Sequence, residues 1–438
     1  MGEWKEYVLE DCMDAIIDYR GKTPKKTSSG VPLITAKIIK NGSILPTQEY
    51  IAEADYDSWM RRGIPKIGDV LLTTEAPLGE VAQISDPNIA LAQRVITLRG
   101  KKNFLNNDFL KYLLISPQSQ AELSGRSSGT TVLGIKQSEL RKIKLRIPEY
   151  QQQEKIAVIL KSLDDKIELN RKMNETLEEM ARAIFKSWFV DFDPVHAKAR
   201  GEKPAGMPDE IADLFPSEFV HSDQLNKPIP KGWEVAPFKS LLKSTIGGDW
   251  GKEEKDSKHT IKSIIIRGTD MPSLRNGERS KAPLRWVEEK KLRSRKLEAY
   301  DIVIEISGGS PTQPTGRSIL ITPNILERFG AVVEPASFCR KFSAIDKFYG
   351  VFASFYLDYI YAVGKTWDYQ NQSTGISNFQ TTVFLEKEFL ALPNKKLLEY
   401  FFEYIEPITD KMTSNESIQL AELRDSLLPK LISGEIEV

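Results

Sequence analysis

Between Pro148 and Trp188 the chain reads PEYQQQEKIAVILKSLDDKIELNRKMNETLEEMARAIFKSW. Apolar residues recur there at alternating steps of four and three: Ile156, Leu160, Leu163, Ile167, then Leu177, Ala181, Ile184 and Trp188. That spacing is a heptad seam, which a helix needs when it pairs with another helix along its length. Asn170 and Asn174 fall on the same seam, where polar residues cost stability and select register and partner. Pro148 and Glu149 suit a helix start, and no proline follows until Pro194. At about 1.5 Å per residue such a helix is roughly 60 Å long. A rod of that kind is a spacer.

The chain then repeats itself. Trp4 is answered by Trp233, GDVLLTTEAPLGEVAQI (68–84) by YDIVIEISGGSPTQPTGRSILI (300–321), and Ser-Ser-Gly at 127–129 by Ser-Thr-Gly at 373–375. Pro148 is answered by Pro393 and Asp165-Lys166 by Asp410-Lys411, 245 residues later. The second helix has Phe401, Ile405, Ile408, Met412 and Asn415 on its seam, with Asn415 answering Asn170. Beyond Asn415 the alignment slips by two residues, with Leu177 matching Leu420 and Ile184 matching Leu427. The period is too long for a solenoid. It predicts two copies of a globular domain followed by a long helix. Two half-seams are buried either against each other, as an antiparallel pair, or each on its own domain; the unbroken first seam favours the antiparallel pair.

The first 147 residues read as an α+β domain. Short β-like runs lie at 31–39, 69–74, 80–85 and 93–98, a helix at 107–115, and a last strand at 141–148. Residues 191–230 contain six prolines and scattered apolar residues, the pattern of an extended connector that packs only locally. The predicted organisation is a globular domain over 1–147, a helix over 148–190, a connector over 191–230, a second globular domain over 231–392 and a second helix over 393–438. The fold class is thus α+β: two globular α/β domains held apart by two long helices packed as an antiparallel coiled coil, with an internal pseudo-twofold.

Catalytic constellations are missing. No Walker A sequence occurs, and no G-x-G-x-x-G opens a helix after a strand. Asp86-Pro87 and Asp193-Pro194 lack the second proline and aromatic residue with which amino-methyltransferases hold a target amine. Glu288 and Glu289 each precede a lysine by two, but as a charged surface rather than a nuclease metal site. Two cysteines and three histidines are too few for a disulfide framework or a zinc site. With 40% hydrophobic and 28% charged residues, no membrane-length apolar run and no signal-peptide pattern, the expectation is a cytoplasmic, non-catalytic protein without a metal.

Net charge is zero, yet its distribution is uneven. Residues 19–47 contain Arg20, Lys22, Lys25, Lys26, Lys37 and Lys40 and no acid, while residues 239–299 have 16 Lys/Arg against 9 Asp/Glu. Arg126, Thr130, Thr131 and Lys136 lie in a second polar loop of the first domain. In the second domain the candidates are Trp250, Lys252, Lys255, Lys258, His259, Arg267, Arg275, Asn276, Arg279, Lys281 and Arg285. These side chains contact phosphates and read base edges. Charge alone does not separate this from a solvated surface; the clustering in both halves of a duplicated frame does. A protein-binding scaffold with paired domains is the alternative.

The run PEYQQQEKIAVILKSLDDKIELNRKMNETLEEMARAIFKSWFVDFDPV resembles the central conserved region of the specificity subunits of Type I restriction–modification enzymes, and AELRDSLLPKLISGEI resembles their distal conserved region. The resemblance implies two target recognition domains, each reading one half of a split, asymmetric sequence in double-stranded DNA. It also implies that two methyltransferase subunits and restriction subunits assemble around the chain. S-adenosylmethionine, ATP and Mg²⁺ would then bind those partners and no cofactor this chain.

Overall fold

Apolar runs ended by Gly, Pro or Asp turns become short strands, and the strands assemble twice in the same order. The structure, a computed structural model, describes residues 4–21, 23–129, 132–310, 312–373 and 376–438. It divides into two units, Met1–Ile167 with Leu420–Val438, and Glu168–Gln419.

Unit 1 contains β1 (Lys5–Val8), β2 (Met13–Asp18), β3 (Val31–Ile34), β4 (Tyr50–Ile51), β5 (Val70–Thr74), β6 (Leu78–Gln83), β7 (Ala90–Leu91), β8 (Val95–Gly100) and β9 (Lys144–Ile147). An antiparallel sheet runs in the order β2-β8-β5-β6. A smaller sheet runs β4-β3-β7, with β3 and β7 parallel, and β1 pairs with β9. Every residue of β5 is buried, which is why its sequence, VLLTT, does not alternate between apolar and charged residues. Val70 and Leu72 enter one core with helix α1 (Asn107–Ile115), and Leu71 enters a second core with Leu33, Ile34 and Leu91.

Helix α2 (Tyr150–Phe189) is 40 residues long, as the heptad seam predicts. Buried Gln153 ties its first turn to unit 1, accepting from Asn106 N (2.9 Å) and donating to Phe104 O (3.0 Å) and Pro148 O (2.9 Å). Ile156 and Leu160 are fully buried, against a cluster that includes Leu428, Leu431 and Ile432 of the last helix. Burying an aliphatic side chain of that size contributes about 1.5–3 kcal/mol. Asp164 closes this part of the seam: it accepts from Lys111 Nζ (2.7 Å), Tyr112 OH (2.8 Å) and Arg424 Nη1 (2.7 Å).

Unit 2 repeats the frame with β10 (Glu234–Pro237), β11 (Leu242–Gly247), β12 (His259–Ile266), β13 (Leu284–Glu288), β14 (Ile302–Glu305), β15 (Ser318–Leu320), β16 (Val333–Pro335), β17 (Cys339–Ala344) and β18 (Phe389–Leu392). Its four-stranded sheet runs β11-β17-β14-β15, its smaller sheet β13-β12-β16 with β12 and β16 parallel, and β10 pairs with β18. The central strand β14 is again wholly buried, with Ile302 and Ile304 entering one core and Val303 another. Its helices include α3 (Glu289–Arg295) and α4 (Lys347–Ala362).

Where one helix is predicted over 393–438, there are two: α5 (Lys395–Met412) and α6 (Glu416–Ser433). The break has a tertiary cause. Asn174 donates to Met412 O (3.1 Å), Arg328 donates to Thr413 O (2.7 Å) and Asn415 Oδ1 (2.9 Å), and the Thr413 hydroxyl bonds both Thr409 O (2.7 Å) and the Thr322 hydroxyl (2.9 Å). Carbonyls that a continuing helix would use are thus taken by side chains. Asn415 pairs with Arg328 here; Asn170 instead reaches Ser417 Oγ (3.4 Å).

Chain direction follows within each unit. In unit 1, Lys155 of α2 reaches Val438 O and Asp164 reaches Arg424 of α6. In unit 2, Asn170 faces Ser417, Asn174 faces Met412, and Phe189 meets Phe401 edge-on at 4.9 Å between centroids. Both pairings are antiparallel. Phe401 and Ile405 are fully buried and Met412 nearly so, while Leu163, Ile167, Leu177, Ile184 and Ile408 are half-buried.

Residues 191–230 are not an extended connector. They form a helix, Asp193–Ala199, and a hairpin of Phe219–Ser222 with Lys227–Pro230. Phe192, Val195, Ile211, Phe215 and Ile229 enter the main core of unit 2 beside Trp188 and Trp233. Their spacing follows no single period because helix, turn and strand each contribute one or two of them, so the pattern reads as loop. No helix among the described residues is long and apolar enough to cross a membrane.

Candidate nucleic-acid interface

Four stretches that are far apart in the sequence of unit 1 converge on one cleft of about 450 Å³. Arg20 and Gly21 line it after β2, Thr74 and Glu75 after β5, Gln93 and Arg94 before β8, and Ser128, Val132, Gly134, Ile135 and Lys136 from the polar loop. The polar loop is held by Ser128 and Gly134, whose backbones exchange hydrogen bonds (2.8 and 3.0 Å), and by Ile135 N donating to Thr74 O (3.0 Å). Arg20 is oriented by Asp18, which accepts from its backbone N (2.9 Å) and lies 3.5 Å from its guanidinium. Arg94 stands 3.7 Å from Glu75. The cleft therefore presents three cations, one amide and one carboxylate, a mixture that meets both phosphate and base-edge groups.

Of the residues singled out from sequence, Arg20 and Lys136 meet in this cleft. Lys25, Lys26, Lys37 and Lys40 are exposed outside its lining, Lys26 in an ion pair with Glu49 (2.8 Å). Arg126 is engaged locally by Glu122 (3.2 Å) and Glu139 (3.7 Å). Lys22, Thr130 and Thr131 lie outside the described residues, as does part of the 373–375 match. Glu75, Gln93 and Arg94 escape the sequence reading because Gln93 and Arg94 look like the start of a strand that begins only at Val95.

In unit 2 the candidates gather on the β12–β13 sheet and the segment before it. Lys255 and Lys262 place their ammonium groups 5.6 and 5.2 Å from the Trp286 ring centroid, and the Arg285 guanidinium lies 5.3 Å from that of Trp250. Lys252 and Trp286 exchange backbone hydrogen bonds (2.8 Å each), fastening the segment to β13. Asp256 organises the turn: it accepts from Lys252 Nζ (2.7 Å), from the backbone N of Lys258 (2.8 Å) and His259 (2.7 Å), and pairs with the His259 ring (2.9 Å). The Lys252 ammonium foremost, with these donors, holds its carboxyl well below the usual carboxylate range. Lys252, Lys255, Lys258 and Lys262 remain exposed around two half-buried indoles, an arrangement suited to a polyanion with aromatic faces. Lys262, absent from the sequence-derived set, joins it through the strand's alternation.

Three predicted readers have structural work instead. Arg275 is half-buried; it donates to Asp358 at 2.8 and 2.9 Å, to Glu178 at 3.0 Å and to Ser318 O at 2.7 Å. Burial alone would lower its pKa, but Asp358 and Glu178 outweigh that and raise it, so the guanidinium stays charged inside the unit. Arg267 grips Asp270 through Nε and Nη2 (2.8 and 2.9 Å). Asn276 contributes its carbonyl to Asn174 (3.0 Å). Arg279 and Lys281 are exposed. Glu288 lies 2.9 Å from Lys291 and 3.6 Å from His259, a charged surface as read from sequence. Among the described residues no group of three or more His, Cys, Asp and Glu is placed to hold a metal.

Comparison with known proteins gives this geometry a context. The Type I restriction modification DNA specificity domain profile matches residues 1–179. The MjaIX specificity subunit of Methanocaldococcus jannaschii is 27% identical over 93% of this chain and 87% of its own length. The HindI specificity subunit of Haemophilus influenzae is 26% identical over the whole of both chains. A Type I restriction–modification S subunit from M. genitalium shares the fold, with a TM-score of 0.53 and 15% identity over 98% of this chain and 96% of that one. The profile thus covers the first sheet frame and most of the long helix α2, and the second unit repeats that frame under a different exposed face. Over nearly its whole length the chain is similar to specificity subunits of Type I restriction enzymes.

Proposed function

We propose that each unit reads one half of a split, asymmetric DNA sequence and that the long helices set the gap between the halves. The observation behind this is the repeated topology with different exposed chemistry at its edge: a mixed polar cleft in unit 1, a lysine–tryptophan face in unit 2. One frame with two unlike reading surfaces is what an asymmetric bipartite target requires. The antiparallel course of α2 within each unit supports its reading as a spacer. Methyltransferase subunits, and restriction subunits for cleavage, dock on this chain in the proposed complex. Methyl transfer and ATP-dependent cleavage then belong to those partners, with their S-adenosylmethionine, ATP and Mg²⁺.

Replacing residues 1–147 by the corresponding domain of a relative is expected to change one half of the methylated sequence and leave the other intact, as read by methylome sequencing. Simultaneous change of both halves overturns independent reading. Methyl transfer or cleavage by the purified chain without partners overturns the assignment of chemistry to them.

A further inference from the structure

Glu334 lies in β16, on a strand two residues from a position where the two units can be superposed bond for bond. Ala92 N donates to Ile34 O (2.9 Å) in unit 1, and Ala336 N donates to Ile266 O (2.8 Å) in unit 2. Counting back two residues, Ala90 pairs with Leu33 and Glu334 pairs with Ile265. Unit 1 thus fills the position with a methyl group, and unit 2 with a carboxyl. Glu334 has no exposed surface, and neither of its carboxyl oxygens has a hydrogen-bond partner. An ionised carboxylate in that state is strongly disfavoured.

The neighbouring segment brings a second acid. After β11, Gly248 N donates to Cys339 O and Asp249 N to Pro335 O (3.0 Å each), so the chain lies directly along β16. A side chain at Gly248 would run into the carbonyl oxygens of Pro335 and Ala336, which is why glycine is needed there. Asp249 Oδ2 is buried without a hydrogen-bond partner, 3.5 Å from Lys291 Nζ. From α3, Lys291 and Arg295 face the same place, but Lys291 is committed to Glu288 at 2.9 Å and the Arg295 Nε donates to Gly247 O at 2.9 Å. The remaining neighbours in this core, Ile265, Val287, Leu292 and Ala336, are apolar. Asp249, whose Oδ1 accepts from Trp250 N (2.9 Å), therefore adds a second negative charge near a Glu334 carboxyl to which no cation is bonded.

We infer that Glu334 is a proton-dependent positioning residue: protonated, it lets the 248–258 segment lie against β16, and on losing its proton it drives Asp249 and that segment away. The segment bears Trp250, Lys252, Lys255 and Lys258, so the device regulates the face assigned above to DNA and rests on that reading for its consequence. Burial first, then the Asp249 charge, pushes the Glu334 carboxyl up to about 7, against the opposing pull of Arg295 and Lys291. The sign follows from linkage. The folded state holds the proton more tightly than the unfolded chain, so the stabilisation is complete below the ordinary glutamate range and is lost as pH rises towards 7.

Hydrogen exchange of the full chain without DNA, corrected for intrinsic rates, tests this between pH 5 and 8. Peptides covering 248–258 are expected to lose protection on the order of 100-fold as pH rises, since each unit of pKa displacement corresponds to about tenfold. Glu334→Gln is expected to keep them protected throughout, and Asp249→Asn to move the midpoint to lower pH. Unchanged protection of the wild type across this range, or an unaltered pH response in Glu334→Gln, overturns the inference. If Glu334→Gln does not fold, Asp249→Asn decides: an unmoved midpoint overturns it. Affinity for the methylated sequence, measured with partner subunits over the same pH range, separates the two readings. If exchange responds and affinity does not, the segment does not contact DNA, while the proton-dependent positioning stands.

Discussion

Unit 1 and unit 2 have the same strand order and the same parallel pair in the smaller sheet, yet equivalent loop positions have opposite chemistry. Thr74 N donates to Arg94 O (3.0 Å), and Ile306 N to Phe338 O (2.9 Å), so an arginine in the cleft of unit 1 stands where unit 2 has a phenylalanine 57% exposed. Asp69 is paired with Arg99 (2.7 Å) and Asp301 with Lys341 (2.9 Å), each just before a buried central strand. The buried frame therefore repeats an acid–base pair with either arginine or lysine, whereas the rim exchanges cation for aromatic. Residues that fill a core are constrained by volume and pairing; rim residues are constrained by what they meet.

Core truncation is expected to have the largest effect. Phe401→Ala removes the ring that packs on Phe185, Trp188 and Phe189, and is expected to destabilise unit 2 by about 3–5 kcal/mol in urea unfolding. Hydrogen exchange in β5 of unit 1 is expected to stay unchanged; a matching loss there would mean the units unfold as one. Next, Asp164→Asn removes the carboxylate that Lys111 and Arg424 share in unit 1, leaving Arg424 only Asp425, at an expected cost of about 3 kcal/mol. Burial pushes the Asp164 carboxyl up, but Lys111 and Arg424 outweigh it and hold it below the usual range. Its stabilisation is then full above the ordinary aspartate pKa and lost as pH falls through the lower folded value, a loss that Asp164→Asn is expected to abolish in acid-unfolding curves.

A four-residue insertion after Asp164 lengthens α2 by about 6 Å, close to two base pairs at about 3.4 Å each. The methylated half-sequences are expected to stay the same with a longer gap. A folded, active insertion variant with the original gap would show that another element measures the distance. The smallest effects belong to single rim cations. Lys255→Ala or Lys262→Ala is expected to lower the slope of log affinity against log salt by about one, with no effect on folding. Arg126→Ala, whose partners are local glutamates, is expected to leave the slope unchanged; an equal drop would place Arg126 on the DNA.

The long first helix and the duplication of the frame are legible in the sequence alone. Heptad spacing marks α2 over Tyr150–Phe189, and the apolar triplets VLL and IVI open β5 and β14, because such local patterns stand in the chain whatever the rest of it does. The sequence also placed Arg20 and Lys136 in polar loops without showing that the loops meet. Only packing brings those loops together, breaks α5 from α6, commits Arg275 to Asp358 and Glu178, and folds residues 191–230 into the core of unit 2. Each depends on a side chain reaching a group far away in sequence: Arg328 to Thr413, Asp358 to Arg275, Trp233 to Phe192. Periodicity records only which face of an element is apolar. Which distant carbonyl, carboxylate or ring that face will meet is settled when the elements pack, and a lysine or arginine looks the same in sequence whether it ends in solvent or in a buried ion pair.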